Sequence, residues 1–120
     1  MAASDLAARK CVPCSEKTQP LDPARARELL AQVPDWKLAT DGKRISRNWR
    51  VRDFGTGLDF FCRIADVAEA EDHHPDLHLT NYRDLTVELW THAAGGLTEN
   101  DFILAAKIDS LEQPALKEKG

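Results

Sequence analysis

No apolar run in this chain approaches the length needed to span a bilayer, and the opening residues, MAASDLAARK, lack the apolar stretch of a secretory signal. The expected compartment is therefore the cytoplasm, with no membrane partner. Cysteine is scarce and odd in number, three residues in all, so a disulfide framework is not expected. Cys11-Val-Pro-Cys14 has the spacing of half a zinc site or of a redox pair, but no second pair follows and no strand-to-helix turn carries it. These two are expected as reduced thiols on a mobile N-terminal arm, and Cys62, inside an apolar helical pattern, as a core residue. A strong positive charge is also missing. Lys and Arg number 16 against 20 Asp and Glu, net -4, which argues against a nucleic-acid partner held by phosphate neutralisation. One local exception, Lys43, Arg44, Arg47, Arg50 and Arg52, reads as a solvated strand face.

What remains is a 120-residue chain, 42% hydrophobic and 30% charged, suited to one domain with one core. Residues 1–20 carry little periodicity and form an arm, 21–113 the domain, and 114–120 a tail. Asp22-Pro23 is an N-cap with proline at the first helical position, opening a short helix that Pro34 stops. Asp41-Gly42 is a two-residue hairpin signal, followed by a strand with Ile45, Trp49 and Val51 on one side and Arg47 as the imperfection in its apolar face. From Asp53, a further N-cap, a helix of roughly 18 residues carries two apolar rows, 54/58/61/65/68 and 60/64/67, one expected on the sheet and the other on a partner subunit. An extended piece over 77–81 and a turn at Tyr82-Arg83 lead to a strand from Asp84 to His92, with Leu85, Val87 and Leu89 buried. Gly95-Gly96 makes a tight turn, and Thr98 caps a last helix closed by Pro114, with Asp101 where a full capping box has Glu or Gln. The order predicts an α+β fold: a four-stranded antiparallel sheet with helices packed on one face.

The chemistry concentrates between Glu71 and His92, in EDHHPDLHLTNYRDLTVELWTH. His73 and His74 end a helix whose last turn also carries Glu69 and Asp72, and His92 returns to them at the end of the following strand. Imidazoles exchange protons near neutrality, so such a cluster points to proton transfer; imidazoles and carboxylates are also metal ligands. Neighbouring helical histidines diverge, which disfavours a shared ion at 73 and 74.

Asp72-His73-His74-Pro75, then Asn81-Tyr82, Thr91-His92, Gly95-Gly96-Leu97-Thr98, Asp101, Leu104-Ala105 and Ile108-Asp109, resemble the pterin-4a-carbinolamine dehydratase family, over about Leu21 to Leu111. The resemblance is to bacterial and plant-type members, since animal-type members carry Trp where this chain has Leu77. It implies a dehydratase that removes water from 4a-hydroxytetrahydropterin to give quinonoid dihydropterin for cofactor recycling, with no metal and no cofactor. It implies His73, His74 and His92 as catalytic residues and Glu69, Asp72, Thr91 and Asp101 as pocket residues. His78 or Tyr82 is the candidate replacement for the missing aromatic wall. The implied partners are a second copy in a homodimer or homotetramer and an aromatic amino acid hydroxylase. The alternative is a non-catalytic protein-binding module, a dimerisation cofactor or hydroxylase accessory protein.

Overall fold

The computed structural model describes residues 6–13 and 17–117; Cys14 lies outside them. Helix α1, Pro23–Leu30, starts where the sequence says it must: the Asp22 side chain accepts from the Arg25 N–H at 2.8 Å. Strands β1, Lys37–Leu38, and β2, Ile45–Arg50, follow. Their connection is wider than a two-residue hairpin, because pairing stops at Leu38–Ile45 and an inner turn, Gly42 N–H to the Ala39 carbonyl, sits inside an Ala39-to-Arg44 bond. Helix α2 spans Phe54–Glu71, with Asp53 accepting from the Thr56 N–H. Strands β3, Asp76–Thr80, and β4, Asp84–Leu89, form a hairpin, and helix α3 spans Glu99–Asp109. The last helix thus ends well before Pro114.

The sheet order is β1-β2-β4-β3, antiparallel throughout, so the fold is α+β with helices covering the sheet. Leu85, Val87 and Leu89 are fully buried, as their alternation requires. Opposite them lie Phe60, Ile64 and Ala68 of α2 and nearly all of α3 from Phe102 to Ile108. At Gly57 α2 lies close on the sheet: a Cβ there would stand 3.1 Å from Leu85 Cδ2. The sheet-facing row of α2 is therefore 57/60/64/68, whereas Phe54 and Leu58 are 49% and 44% exposed. Cys62 lies on the exposed side and not in the core, because the apolar pattern around it is two rows with a solvent-facing sector between them.

Arg47 resolves the break in the apolar face of β2. Its guanidinium reaches Asp109 at 2.6 Å and lies 4.5 Å over the Trp49 ring, and Asp109 also accepts from Trp36 Nε1 at 2.9 Å. Burial pushes the Asp109 carboxyl up from its ordinary range, against the opposing pull of these donors. The other arginines of the basic segment are paired too, Arg44 with Glu88, Arg50 with Asp84 and Arg52 with Asp53. The segment after α3 returns to β2, with Lys117 N–H bonded to the Arg50 carbonyl and Arg52 N–H to that of Ala115.

Candidate active site

The end of α2, the start of β3, the end of β4 and the start of α3 meet at one end of the sheet. Register explains part of this: Asp76, directly after His73-His74-Pro75, pairs with Glu88, one residue before β4 ends. The helix terminus explains the rest. Asp72 adopts the left-handed conformation (φ 51°, ψ 43°), and its N–H and that of His73 bond back to the Glu69 and Ala68 carbonyls, the Schellman arrangement. A non-glycine residue there costs of order 1 kcal/mol, and the reversal sends the two histidines apart. His73 turns inward to Asp101, Nε2 to Oδ1 2.7 Å; His74 turns back along the helix to Glu69, Nε2 to Oε2 2.6 Å.

Asp101 is completely buried. Its Oδ2 accepts from the Thr98 N–H and the Thr91 hydroxyl, both at 2.9 Å, so the short aspartate closes the capping role that a longer acid usually takes. Thr91 is in turn 2.8 Å from the Thr98 hydroxyl. Because Thr91 gives its proton to Asp101, that second contact must run from Thr98 to Thr91. Oδ2 of Asp101 is thus an acceptor from two donors, and with the carboxyl ionised Oδ1 accepts from His73 Nε2–H. The remaining ring nitrogen, Nδ1, is the one left for proton exchange with a ligand. Such a buried carboxylate behind an imidazole fixes ring orientation and tautomer together.

His92 does not end a strand. Pairing stops at Leu89, and His92–Ala94 is a 3-10 turn capped by Gly95 at φ 69°. The Thr91 carbonyl accepts from the N–H groups of Ala94 and Gly95 while Thr91 and Gly96 pair across the loop base. The periodicity of β4 carried no sign of this, because the bend comes from carbonyl satisfaction within the loop. The His92 ring lies 3.8 Å from that of Trp90, whose Nε1 donates to Asp76 Oδ2 at 3.2 Å.

A cavity of about 400 Å³ opens among these groups, lined by Asp72, His73, His74, Pro75, Trp90, Thr91 and His92, with Asp76, Ala93 and Asn100 completing it beside Val12 and Pro13 of the arm. All three candidate catalytic histidines therefore border one space, with Asp72 and Thr91. Asp101 stands behind His73 and acts through it. Glu69 is outside the lining, exposed, and touches the site only by way of His74. His78 is not in the cavity lining; it sits two residues along β3 from Asp76, on the same face of the β3–β4 hairpin, and pairs with Glu88 at 2.9 Å. Tyr82 is in the distant turn and half exposed, so Trp90 is the aromatic group of the lining. Trp90, Asp76, Thr98 and the arm residues were not foreseen as site members, and only Trp90 carried a signal, its position on the His92 side of the sequence alternation. Among the described residues no cluster of three or more His, Cys, Asp or Glu side chains is arranged to hold a metal ion, and no helix is long and apolar enough to cross a membrane.

Fold and site together define a class: a small α+β protein whose cavity, at the junction of helix ends and sheet end, is lined by proton-transfer groups. The sequence profile of the family described as Pterin 4 alpha carbinolamine dehydratase matches residues 19–111. A protein of Arabidopsis thaliana named Pterin-4-alpha-carbinolamine dehydratase 2, mitochondrial, is 51% identical over 97% of this chain, which spans 64% of that protein's length. A putative pterin-4-alpha-carbinolamine dehydratase of Halorhodospira halophila is 48% identical over 86% of this chain and 94% of its own. Among solved structures, a transcriptional coactivator/pterin dehydratase from Brucella melitensis superposes with a TM-score of 0.71 at 30% identity, covering 77% of this chain and 97% of that one. This chain belongs to the pterin-4a-carbinolamine dehydratase family. A second Arabidopsis relative is named as chloroplastic, so a cytoplasmic setting is not common to these relatives.

Proposed function

We propose that this protein dehydrates a 4a-hydroxytetrahydropterin to the quinonoid dihydropterin by histidine general acid–base catalysis, as a recycling step for a pterin cofactor. The observation that supports this best is the convergence of His73, His74 and His92 on one cavity, with His73 held by a buried carboxylate. The reaction breaks the C4a–O bond and forms a C4a=N5 double bond. The hydroxyl must gain a proton to leave as water, and N5–H must lose one, so acid and base act on adjacent atoms. His73, with Nε2–H committed to Asp101, has Nδ1 available as the base. Of the other two, His74, which borders the cavity with its Nε2 against Glu69, is the better candidate for the acid. His92, its ring tilted against that of Trp90, then serves to hold the pterin ring. Asp72 and Thr91 complete the polar lining.

The functional unit is a homodimer or homotetramer in this reading, with a second copy covering the exposed Phe54 and Leu58 row of α2. An aromatic amino acid hydroxylase, as the source of the hydroxylated pterin, is the fitting metabolic partner. The competing reading is a binding module, favoured by the likeness to the Brucella protein, which is called a transcriptional coactivator as well as a pterin dehydratase. A spectrophotometric assay on freshly generated 4a-hydroxytetrahydropterin separates the two. Turnover above the buffer rate, lost in both His73→Ala and His92→Ala, is expected. A wild-type protein no faster than buffer would overturn the enzymatic reading.

A further inference from the structure

One wall of the cavity comes from outside the family domain. The family match begins at residue 19, whereas Val12 and Pro13 line the cavity beside His73 and His74. The described part of the arm is anchored at several points. Leu6 is buried in the core, and the Ala7 carbonyl accepts from Lys107 Nζ at 2.7 Å. Cys11 N–H donates to Glu71 Oε1 at 2.8 Å. The side-chain amide of Asn100, itself buried, pairs with both polar groups of the Val12 backbone: N–H to Oδ1 at 2.9 Å and Nδ2–H to the carbonyl at 2.6 Å. Such a two-point contact fixes the orientation of residue 12 as a strand neighbour would. It also fixes its register against the catalytic groups, because Asn100 is the immediate neighbour of Asp101, which holds His73. Glu99, one residue earlier, pairs with Arg9 of the same arm. Three consecutive residues of α3 therefore tie the arm and the histidine to one helical turn.

We infer that Val12 and Pro13 are substrate-binding residues, the apolar wall of the pterin site, latched by Asn100. The inference rests on the dehydratase reading above. Apolar side chains make no contact that changes as water leaves, so they hold substrate and transition state alike, and their removal raises KM without lowering kcat. Purely structural residues would alter both or neither.

The test uses the full chain. Wild type, the Val12→Ala/Pro13→Ala double variant and Asn100→Ala are compared for kcat and KM with 4a-hydroxytetrahydropterin and for binding of biopterin, followed by its own fluorescence. Both residues of the double variant are exposed, so folding is retained, and thermal melting checks this for all three. The double variant is expected to raise KM, and the biopterin Kd with it, about fivefold at nearly constant kcat, in the range for small losses of apolar contact. Asn100→Ala is expected to shift both in the same direction. Wild-type KM and Kd in the double variant would overturn the assignment while leaving the dehydratase reading intact. A wild-type protein that neither binds biopterin nor turns over substrate would remove that reading, and this one with it.

Discussion

Replacing Asp101 by Asn changes one atom's hydrogen-bonding sense at the centre of the site. Asp101 is fully buried and accepts from three directions, His73 Nε2 at 2.7 Å on one oxygen, and the Thr98 N–H and Thr91 hydroxyl at 2.9 Å on the other. An asparagine has a single acceptor oxygen. A backbone N–H cannot become an acceptor, so the amide oxygen must stay toward Thr98 and the NH2 must face His73. His73 Nε2 then has to accept, and the ring proton moves to Nδ1, the nitrogen assigned to proton abstraction. The variant keeps the shape and loses the base, so kcat is expected to fall by a factor of roughly 10²–10⁴, the usual worth of a positioned acid or base. Loss of the charged bond in a buried site costs roughly 1–3 kcal/mol of stability, read from urea unfolding. The decisive measurements are kcat from the dehydration assay and the His73 tautomer from long-range proton–nitrogen NMR. A tautomer that inverts while kcat falls less than about threefold, about 0.6 kcal/mol, would refute the role given to His73.

Other expectations follow from the pairing and exposure of particular groups. Burial raises the Asp109 carboxyl, so the native state takes up protons there more readily than the unfolded chain. Its contribution to stability is greatest below the ordinary carboxylate range and is lost as pH rises toward the raised native value; Asp109→Asn should flatten the melting-temperature profile from about pH 4 upward, and an unchanged slope would contradict this. The Cys11 thiol is pushed up to about 12, chiefly by burial, whereas Cys62 is exposed. Near neutral pH iodoacetamide should alkylate Cys62 well before Cys11, by peptide mass mapping, since thiolate and access control the rate; equal rates would mean that the arm is not docked. Leu58→Asp, on the open row of α2, should shift sedimentation at micromolar concentration to the monomer. Wild type already sedimenting as a monomer would rule out a partner on that row.

Local grammar was legible wherever one residue settles one backbone question. Asp22 and Asp53 cap α1 and α2 as read from the sequence, and the alternation of Leu85, Val87 and Leu89 gave β4 its buried face, whereas α2 ends at Glu71 through left-handed Asp72, before the two histidines read as its last turn. The histidine cluster was legible for the same reason, as residue types at short spacing. Where two patterns overlapped, the reading slipped. The apolar residues of α2 fit two rows, and only the approach at Gly57 selects 57/60/64/68 for the sheet, leaving Cys62 outside. The extension of β4 to His92 failed because loop carbonyls, invisible to side-chain periodicity, end the strand at Leu89.

By itself the sequence determined the elements, their order and the chemical types gathered around His73, because caps, breakers and periodicity act over a few residues. The tertiary structure decided what each site residue touches. That His73 takes Asp101, His74 takes Glu69 and His78 takes Glu88 depends on the left-handed turn at Asp72 and on the β3–β4 register. That a wall of the cavity is Val12 and Pro13 depends on Asn100, 88 positions along the chain from Val12. Contacts at that separation arise only once the core has fixed the distance between α2, α3 and the arm, and no local pattern encodes them.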